Sequence, residues 1–184
     1  MNIYISTERI LQFLTILSWI IFIGLCIETC SYLTSTLFNL FLEPSKAKLM
    51  WHPIDLSSLF AFDQGYYAVV SFFVILVGVL KALLFYFIIR ILQNKNFNMS
   101  QPFSDITRRF IFSIAYTTLA IGLSSSCGAD YTEWFMGQGV KMPTLEQMSI
   151  GGSDVWLFMS MTLFVIAHIF KKGIEIQTEN ELTV

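Results

Sequence analysis

The order of apolar and polar positions divides the chain into four long apolar segments joined by more polar ones. The longest, residues 66–92, has 27 residues and only two charges, Lys81 and Arg90. As an α-helix this segment would be about 40 Å long, which exceeds the ~30 Å hydrocarbon core of a bilayer. The pattern therefore predicts a tilted transmembrane helix.

The other apolar segments predict three more spans, which makes the chain an all-α, polytopic membrane protein with four transmembrane helices. We expect residues 1–184 to form a single four-helix transmembrane domain, packed as a four-helix bundle. Its expected parts are spans at residues 10–33, 66–92, 110–126 and 154–170, outer loops at 34–65 and 127–153, a cytoplasmic connector at 93–109 and a cytoplasmic tail at 171–184.

Composition supports this class and argues against two others. Hydrophobic residues make up 55% of the chain and charged residues 13%, which is about half the usual share of charge in a soluble domain. The net charge of -2 leaves no basic stripe, so we expect no direct contact with nucleic acid. Three cysteines are too few, and an odd number, for a disulfide framework.

Lysine and arginine are distributed unequally between the two sides of the predicted spans. Seven lie on one side and three on the other, and short cytoplasmic segments of membrane proteins are enriched in these residues. Both termini and the connector are therefore predicted to be cytoplasmic. The seven are Arg9, Arg90, Lys95, Arg108, Arg109, Lys171 and Lys172, and the three are Lys46, Lys48 and Lys141.

Lys81 is the most costly residue in the chain to place in a membrane. A charged side chain at mid-depth costs roughly 2.5–3.5 kcal/mol on insertion scales, so we expect it to face the other helices or to snorkel. Counted from the cytoplasmic face, Ser18, Thr118 and Thr162 fall at comparable depth and predict a polar layer around it. A small-xxx-small pair that begins at Gly78 would let a neighbouring helix approach. Lys81 is interpreted either as a proton or ligand site or as a structural lysine.

Glu28 is the only acidic residue well inside a predicted span. It lies near the outer end of the first span, and we expect it ~10 Å shallower than Lys81. An ion pair between the two would require both side chains to extend along the membrane normal. Glu28 is interpreted either as a functional carboxylate or as a carboxyl group near the interface that is protonated or bridged by water.

The three cysteines all belong near the outer leaflet. Cys26 and Cys30 are four residues apart, which is not the spacing of a CxxC redox pair, so a membrane thiol oxidoreductase is disfavoured. A disulfide between Cys30 and Cys127 would tie the first span to the third in an oxidising compartment. The other interpretation is three buried and unreactive thiols.

Catalytic and metal-binding motifs are missing from the sequence. It contains no phosphate-binding Gly-rich loop, no nucleophile elbow and no zinc signature. By the predicted topology His52 and His168 lie on opposite sides of the membrane, so they cannot share a haem or a metal. We therefore expect no enzymatic activity, no cofactor and no metal site.

Two short stretches resemble a known family. The connector sequence QPFSDITRRF and the tail sequence FKKGIEIQTENELTV are similar to small four-helix bacterial membrane proteins of unknown function, DUF2975. The specific motifs cover residues 102–109 and 170–184, and Glu181 stands where that family often has Asp. The resemblance implies a multi-pass location in the bacterial inner membrane and no known enzyme activity. It also implies a cytoplasmic helix-turn-helix regulator as a partner, since such proteins are often encoded beside one.

Two functions from different classes remain open at this point. The first is an inner-membrane protein without enzymatic activity that holds or signals to a cytoplasmic regulator. The alternative is a small transporter or ligand sensor that uses intramembrane Lys81 and Glu28. A homo-oligomer is compatible with either function, and the lipid bilayer is a partner in both. The residues expected to contact a regulator are Arg108, Arg109, Lys171, Lys172, Glu175, Glu179 and Leu182.

The tail has an unusual mixture of residues for a solvated chain end. Four apolar residues alternate with acidic and amide residues after Lys172, which favours docking on the connector or on a partner over a frayed terminus. Gly173 costs about 1 kcal/mol in a helix interior, so we expect the fourth helix to loosen or bend there.

Overall fold

The computed structural model describes residues 7–41, 54–94 and 103–182, and these residues form five α-helices. Four of the helices are long and apolar enough to cross a membrane, which confirms an all-α protein with four candidate spans. In chain order the helices are α1 (Thr7–Phe41), α2 (Ser57–Phe62), α3 (Gln64–Leu92), α4 (Asp105–Gly137) and α5 (Ser153–Leu182).

Three of the long helices extend beyond the predicted spans. Helix α1 continues to Phe41, α4 to Gly137 and α5 to Leu182, so the expected outer loops at 34–65 and 127–153 are shorter than predicted. The reason is that apolar length marks the part of a helix that suits hydrocarbon, whereas the hydrogen-bonded backbone continues until a residue or a contact ends it. Several residues used in the sequence analysis lie outside the described part of the chain: Lys46, Lys48, His52, Lys95 and Pro102.

The main helix packing follows one order: α1 packs on α3, α3 on α4, and α4 on α5. The two central helices, α3 and α4, are therefore the most buried, and α1 and α5 expose most of their apolar side chains. We name the end that carries the start of α1 and the ends of α3 and α5 the termini end. The opposite end, which carries α2, is the loop end.

The helices are staggered along the bundle axis. Thr29 of α1 packs at Gly78, in the middle part of α3, and Leu157 in the second turn of α5 packs at Gly122 of α4. Helix α4 continues for 15 residues beyond Gly122 to Gly137, which corresponds to about 22 Å. Helix α5 thus begins well inside the bundle rather than at the loop end.

The segment from α4 back to α5, residues 138–152, is named the return loop. Its Met148 and Ile150 side chains are fully buried, and Ile150 lies against Gly128 of α4. Three further apolar residues of the return loop pack on the same core, namely Val140, Met142 and Leu145. The return loop therefore forms part of the hydrophobic core instead of a solvated connection.

The loop end is closed by the residues that precede α3. Leu59 of α2 is fully buried, and the Asp63 carboxylate caps α3 by accepting a hydrogen bond from the Tyr66 backbone N–H at 3.0 Å. Below this cap the Asn39 side chain of α1 donates to the Tyr67 hydroxyl at 3.0 Å, within the core. These contacts fix the end of α1 against the start of α3.

At the termini end, helix α5 passes through Gly173 without a break and ends at Leu182. The expectation of a loosened helix at Gly173 is therefore wrong. A Cβ atom at this position would lie 2.6 Å from the Phe103 ring. The absence of a side chain at Gly173 therefore leaves space for the ring to pack against α5. Because Phe103 belongs to the connector, the connector contacts the first part of the tail at Gly173, while docking of the later apolar residues of the tail stays a prediction.

Gly122→Val tests whether close approach of α4 and α5 holds the bundle together. A Cβ atom at Gly122 would lie 2.8 Å from Leu157 Cγ and 3.1 Å from its backbone nitrogen, whereas Gly24 has no neighbour within 4 Å. We expect Gly122→Val to destabilise the protein by about 1–3 kcal/mol through overpacking. Gly24→Val is the matched control, and thermal unfolding in detergent micelles is the measurement. Equal melting temperatures for the two variants would contradict the close contact.

Candidate functional site

The ammonium group of Lys81 is satisfied inside the bundle. Lys81 Nζ donates a hydrogen bond to the Ser149 backbone carbonyl at 2.6 Å, and it lies 5.8 Å from the centre of the Trp156 ring. A hydrogen bond to a charged group contributes about 1.5–3 kcal/mol, and a cation over an aromatic ring about 0.5–2 kcal/mol. The predicted inward orientation is confirmed, but the hydrogen-bond partner is the return loop rather than a neighbouring helix.

Glu28 belongs to the same site. The Ser149 hydroxyl donates to Glu28 Oε1 at 3.1 Å, so Ser149 contacts Lys81 through its carbonyl and Glu28 through its side chain. The expectation that Glu28 lies ~10 Å shallower than Lys81 is therefore wrong. It assumed that all four helices start at one level, whereas the stagger of α1 against α3 brings Glu28 beside the middle of α3.

Ser149 has an unusual backbone conformation. Its φ angle is +58°, in the left-handed region, and Gly152 follows with a φ of +73°. A left-handed residue other than glycine costs roughly 1–3 kcal/mol and persists only where surrounding contacts hold it. Here the Ile150 and Gly151 backbone N–H groups both donate to the Leu145 carbonyl, which closes the turn around Ser149. The turn directs the Ser149 carbonyl and hydroxyl to two different charged groups.

A small cavity of about 40 Å³ lies between these groups. A water molecule needs roughly 10–15 Å³ measured in this way together with several polar partners, so the cavity has room for a few waters or a small ion. Helices α1 and α3 supply most of the wall, and the return loop closes it. The lining residues are Leu25, Glu28, Thr29, Tyr32, Val74, Gly78, Lys81 and Ser149.

The hydroxyl groups predicted to surround Lys81 have other partners. Ser18 donates to the Leu14 carbonyl at 2.7 Å, and Thr162 donates to the Phe158 carbonyl at 3.0 Å. Thr118 is fully buried and donates to carbonyls of its own helix at 2.9 Å. Each side chain therefore satisfies itself on the helix that carries it, as serine and threonine commonly do within helices.

All three cysteines are free thiols in the structure. Cys30 and Cys127 are exposed and Cys26 is partly buried, so neither the Cys30–Cys127 disulfide nor the interpretation of three buried thiols describes the structure. The physical reason is the helix order, since α1 packs mainly on α3 and α4 packs mainly on α3 and α5. Cys30 and Cys127 are exposed on helices that are separated by α3.

The charged residues at the termini end form local pairs. Arg108 pairs with Asp105 at 2.9 Å, and Lys172 pairs with Glu175 at 3.2 Å, each within one helical turn. Arg108 is partly exposed and the other three side chains are exposed, so each pair contributes little to stability. Arg109, Lys171 and Glu179 are also exposed, and Leu182 is the last helical residue. The exposed residues among them form an accessible surface along the start of α4 and the last turns of α5.

Ser149 and Trp156 are site residues that sequence reasoning did not identify. Ser149 falls in the predicted outer loop at 127–153, and Trp156 falls at the start of the predicted span at 154–170. A signal was present in the sequence, because residues 140–150 place apolar side chains at intervals that a solvated loop does not need. The two glycines that follow Ile150 also mark a tight backbone turn.

A double-mutant cycle tests whether Glu28 and Lys81 are coupled through Ser149. We expect Lys81→Met and Glu28→Gln each to destabilise the protein and to accelerate hydrogen exchange of the return loop. The double variant should lose less stability than the sum of the single variants, with a coupling of about 0.5–3 kcal/mol, because both side chains are held by the same residue, Ser149. Ser18→Ala combined with Lys81→Met is the control and should be additive. An additive Glu28–Lys81 cycle would disprove the coupling.

Among the described residues, no group of three or more His, Cys, Asp or Glu side chains is arranged to hold a metal ion. Comparison with curated proteins and with solved structures found no match. A family model described as a protein of unknown function (DUF2975) matches residues 41–184, which include Lys81 and Ser149. The match covers most of the chain and includes both stretches on which the resemblance was based. The chain therefore belongs to the DUF2975 family.

Proposed function

We propose that this protein is a non-enzymatic, multi-pass protein of the bacterial inner membrane that transmits the state of its return loop to a cytoplasmic regulator. The observation that carries the proposal is the bridge formed by Ser149 between Lys81 of α3 and Glu28 of α1. Through this bridge a segment close to the loop end is joined to two charges within long apolar helices. The bridge joins the return loop to α1 and to the middle part of α3.

The bridge has the properties of a switchable contact. Ser149 is held in a strained conformation, and its removal would take the hydrogen-bond acceptor away from Lys81 in an apolar bundle. A ligand or a change of charge that favours another loop position would therefore also favour another position of α1 against α3. The close packing of Thr29 at Gly78, on the same two helices, would resist intermediate positions.

The termini end offers the surface for the regulator. The exposed residues at the start of α4 and the last three turns of α5 lie there, and Phe103 ties the connector to α5. A helix-turn-helix partner is implied by the family resemblance, and the acidic side chains of the tail would suit a partner with basic residues. Helix α5 runs without a break from Trp156, beside Lys81, to this surface.

A second candidate function is a sensor or transporter of a very small ligand at the Glu28–Lys81 cavity. The volume of about 40 Å³ favours water, a proton or a small ion over any larger solute. Lys81→Met separates the two functions. It should abolish response to the ligand in a sensor or transporter, whereas the regulator-binding function should retain association with its partner and lose only the response to the loop.

The orientation is tested by single cysteines in a cysteine-free background. Lys141→Cys lies in the return loop and Thr178→Cys on the exposed part of α5. With both termini cytoplasmic, we expect a membrane-impermeant thiol reagent added outside to label position 141 and to leave position 178 unlabelled until the membrane is opened. The reverse labelling pattern would refute the proposed orientation and with it a cytoplasmic partner.

The tail is tested by charge reversal and by deletion. Glu175→Lys combined with Glu179→Lys should reduce capture of a cytoplasmic regulator at least about tenfold, and deletion of residues 175–184 should abolish capture while membrane insertion is retained. The matched control is Asp130→Lys with Glu133→Lys, which reverses two exposed charges near the loop end and should leave capture unchanged. Full capture by the protein that lacks residues 175–184, or an equal loss of capture in the control variant, would show that the tail does not bind the partner.

A further inference from the structure

A second and larger cavity lies at the termini end, between α3 and α4, and the function proposed above does not use it. Its volume is about 340 Å³, which lies within the size range of small-molecule sites. Half of its lining residues are polar and half are apolar. They are Phe87, Arg90 and Ile91 from α3, Asn94 two residues beyond its end, and Ile106, Arg109, Phe110 and Ser113 from α4.

The two helices contribute to this cleft in the same way. Each supplies residues at positions i, i+3 and i+4, which is the spacing of a single helix face, and α4 adds a fourth at i+7. In each set the residue at i+3 is an arginine, Arg90 on α3 and Arg109 on α4. The helices are consecutive and antiparallel, so the two faces meet and both guanidinium groups border one space.

The positive charge of the cleft is not neutralised by the described protein. Within residues 7–41, 54–94 and 103–182, neither Arg90 nor Arg109 forms an ion pair, whereas the adjacent Arg108 pairs with Asp105. Residues 93–104 contain no acidic side chain that could approach from the connector. Arginine stays charged in proteins, so two positive charges border the cleft at neutral pH.

We propose that this cleft binds the phosphate group of an anionic phospholipid. Two guanidinium groups present donors in the fork geometry that suits phosphate oxygens. The walls include Phe87, about one helical turn deeper on α3 than Arg90, and Phe110, which is adjacent to Arg109 on α4. These two rings suit the start of an acyl chain. The arginines lie near the ends of apolar helices, where lipid headgroups are found.

The test compares lipids and arginine variants on the purified full-length protein in mild detergent. Thermal unfolding is followed while phosphatidylglycerol, phosphatidylcholine or sodium phosphate is added, with sodium chloride at matched ionic strength as the blank. The variants are Arg90→Gln, Arg109→Gln and, as matched control, Arg108→Gln, which removes the neighbouring charge outside the cleft. Native mass spectrometry of lipid retained by each variant gives a second, independent measurement.

We expect phosphatidylglycerol to raise the melting temperature of the wild type and of Arg108→Gln more than phosphatidylcholine does. Arg90→Gln and Arg109→Gln should each require at least about fivefold more phosphatidylglycerol for the same effect and retain less of it. If sodium phosphate raises the melting temperature with the same dependence on Arg90 and Arg109, the site would be assigned to a soluble phosphate source. That result would still support phosphate binding. Equal loss in all three variants, or no preference for phosphate-bearing anions, would overturn the proposal.

Discussion

One charge within an apolar bundle explains much of this structure. Lys81 cannot be satisfied by lipid, and the hydroxyl groups of Ser18, Thr118 and Thr162 are bound to carbonyls of their own helices. The return loop supplies what the helices do not, because the backbone carbonyl of Ser149 is a strong acceptor in an apolar surrounding. Because the return loop lies beside Lys81, the Ser149 hydroxyl also contacts Glu28. A lysine and a glutamate side chain therefore share one small polar site.

The descent of the return loop also explains why α5 begins inside the bundle. An apolar segment of residues 154–170 is short for a span, and its start at the level of Lys81 leaves the loop end of α3 and α4 without a neighbour on that side. Met148 and Ile150 cover that surface, and the turn hydrogen bonds satisfy the backbone that enters with them. Irregular backbone is tolerated at such depth only where protein surrounds it, which is the situation of Ser149.

The sequence was sufficient for the features that depend on one segment at a time. The length of the apolar segments predicted four long helices, and the free-energy cost of a charge in lipid predicted that Lys81 faces inward. The missing side chain of Gly78 predicted a close approach of another helix, and Thr29 makes this approach. The features that it did not predict depend on how segments align. The depth of Glu28, the separation of Cys30 from Cys127 and the descent of Ser149 all follow from the stagger and order of the helices, and neither is encoded in the length or polarity of a single segment.

Helix α3 places the two proposed sites on different faces. Lys81 and Arg90 are nine residues apart, which corresponds to about 13 Å along the axis and about half a turn around it at 3.6 residues per turn. One face of α3 therefore carries the charge held by the return loop, and the opposite face carries an arginine of the cleft shared with α4. A helix that packs against α1 and α4 moves largely as one body, so rotation that releases Lys81 from Ser149 would also move Arg90 against Arg109. A lipid phosphate held between the two arginines would oppose that rotation, which gives the lipid composition of the membrane a physical means to set how readily the bridge opens.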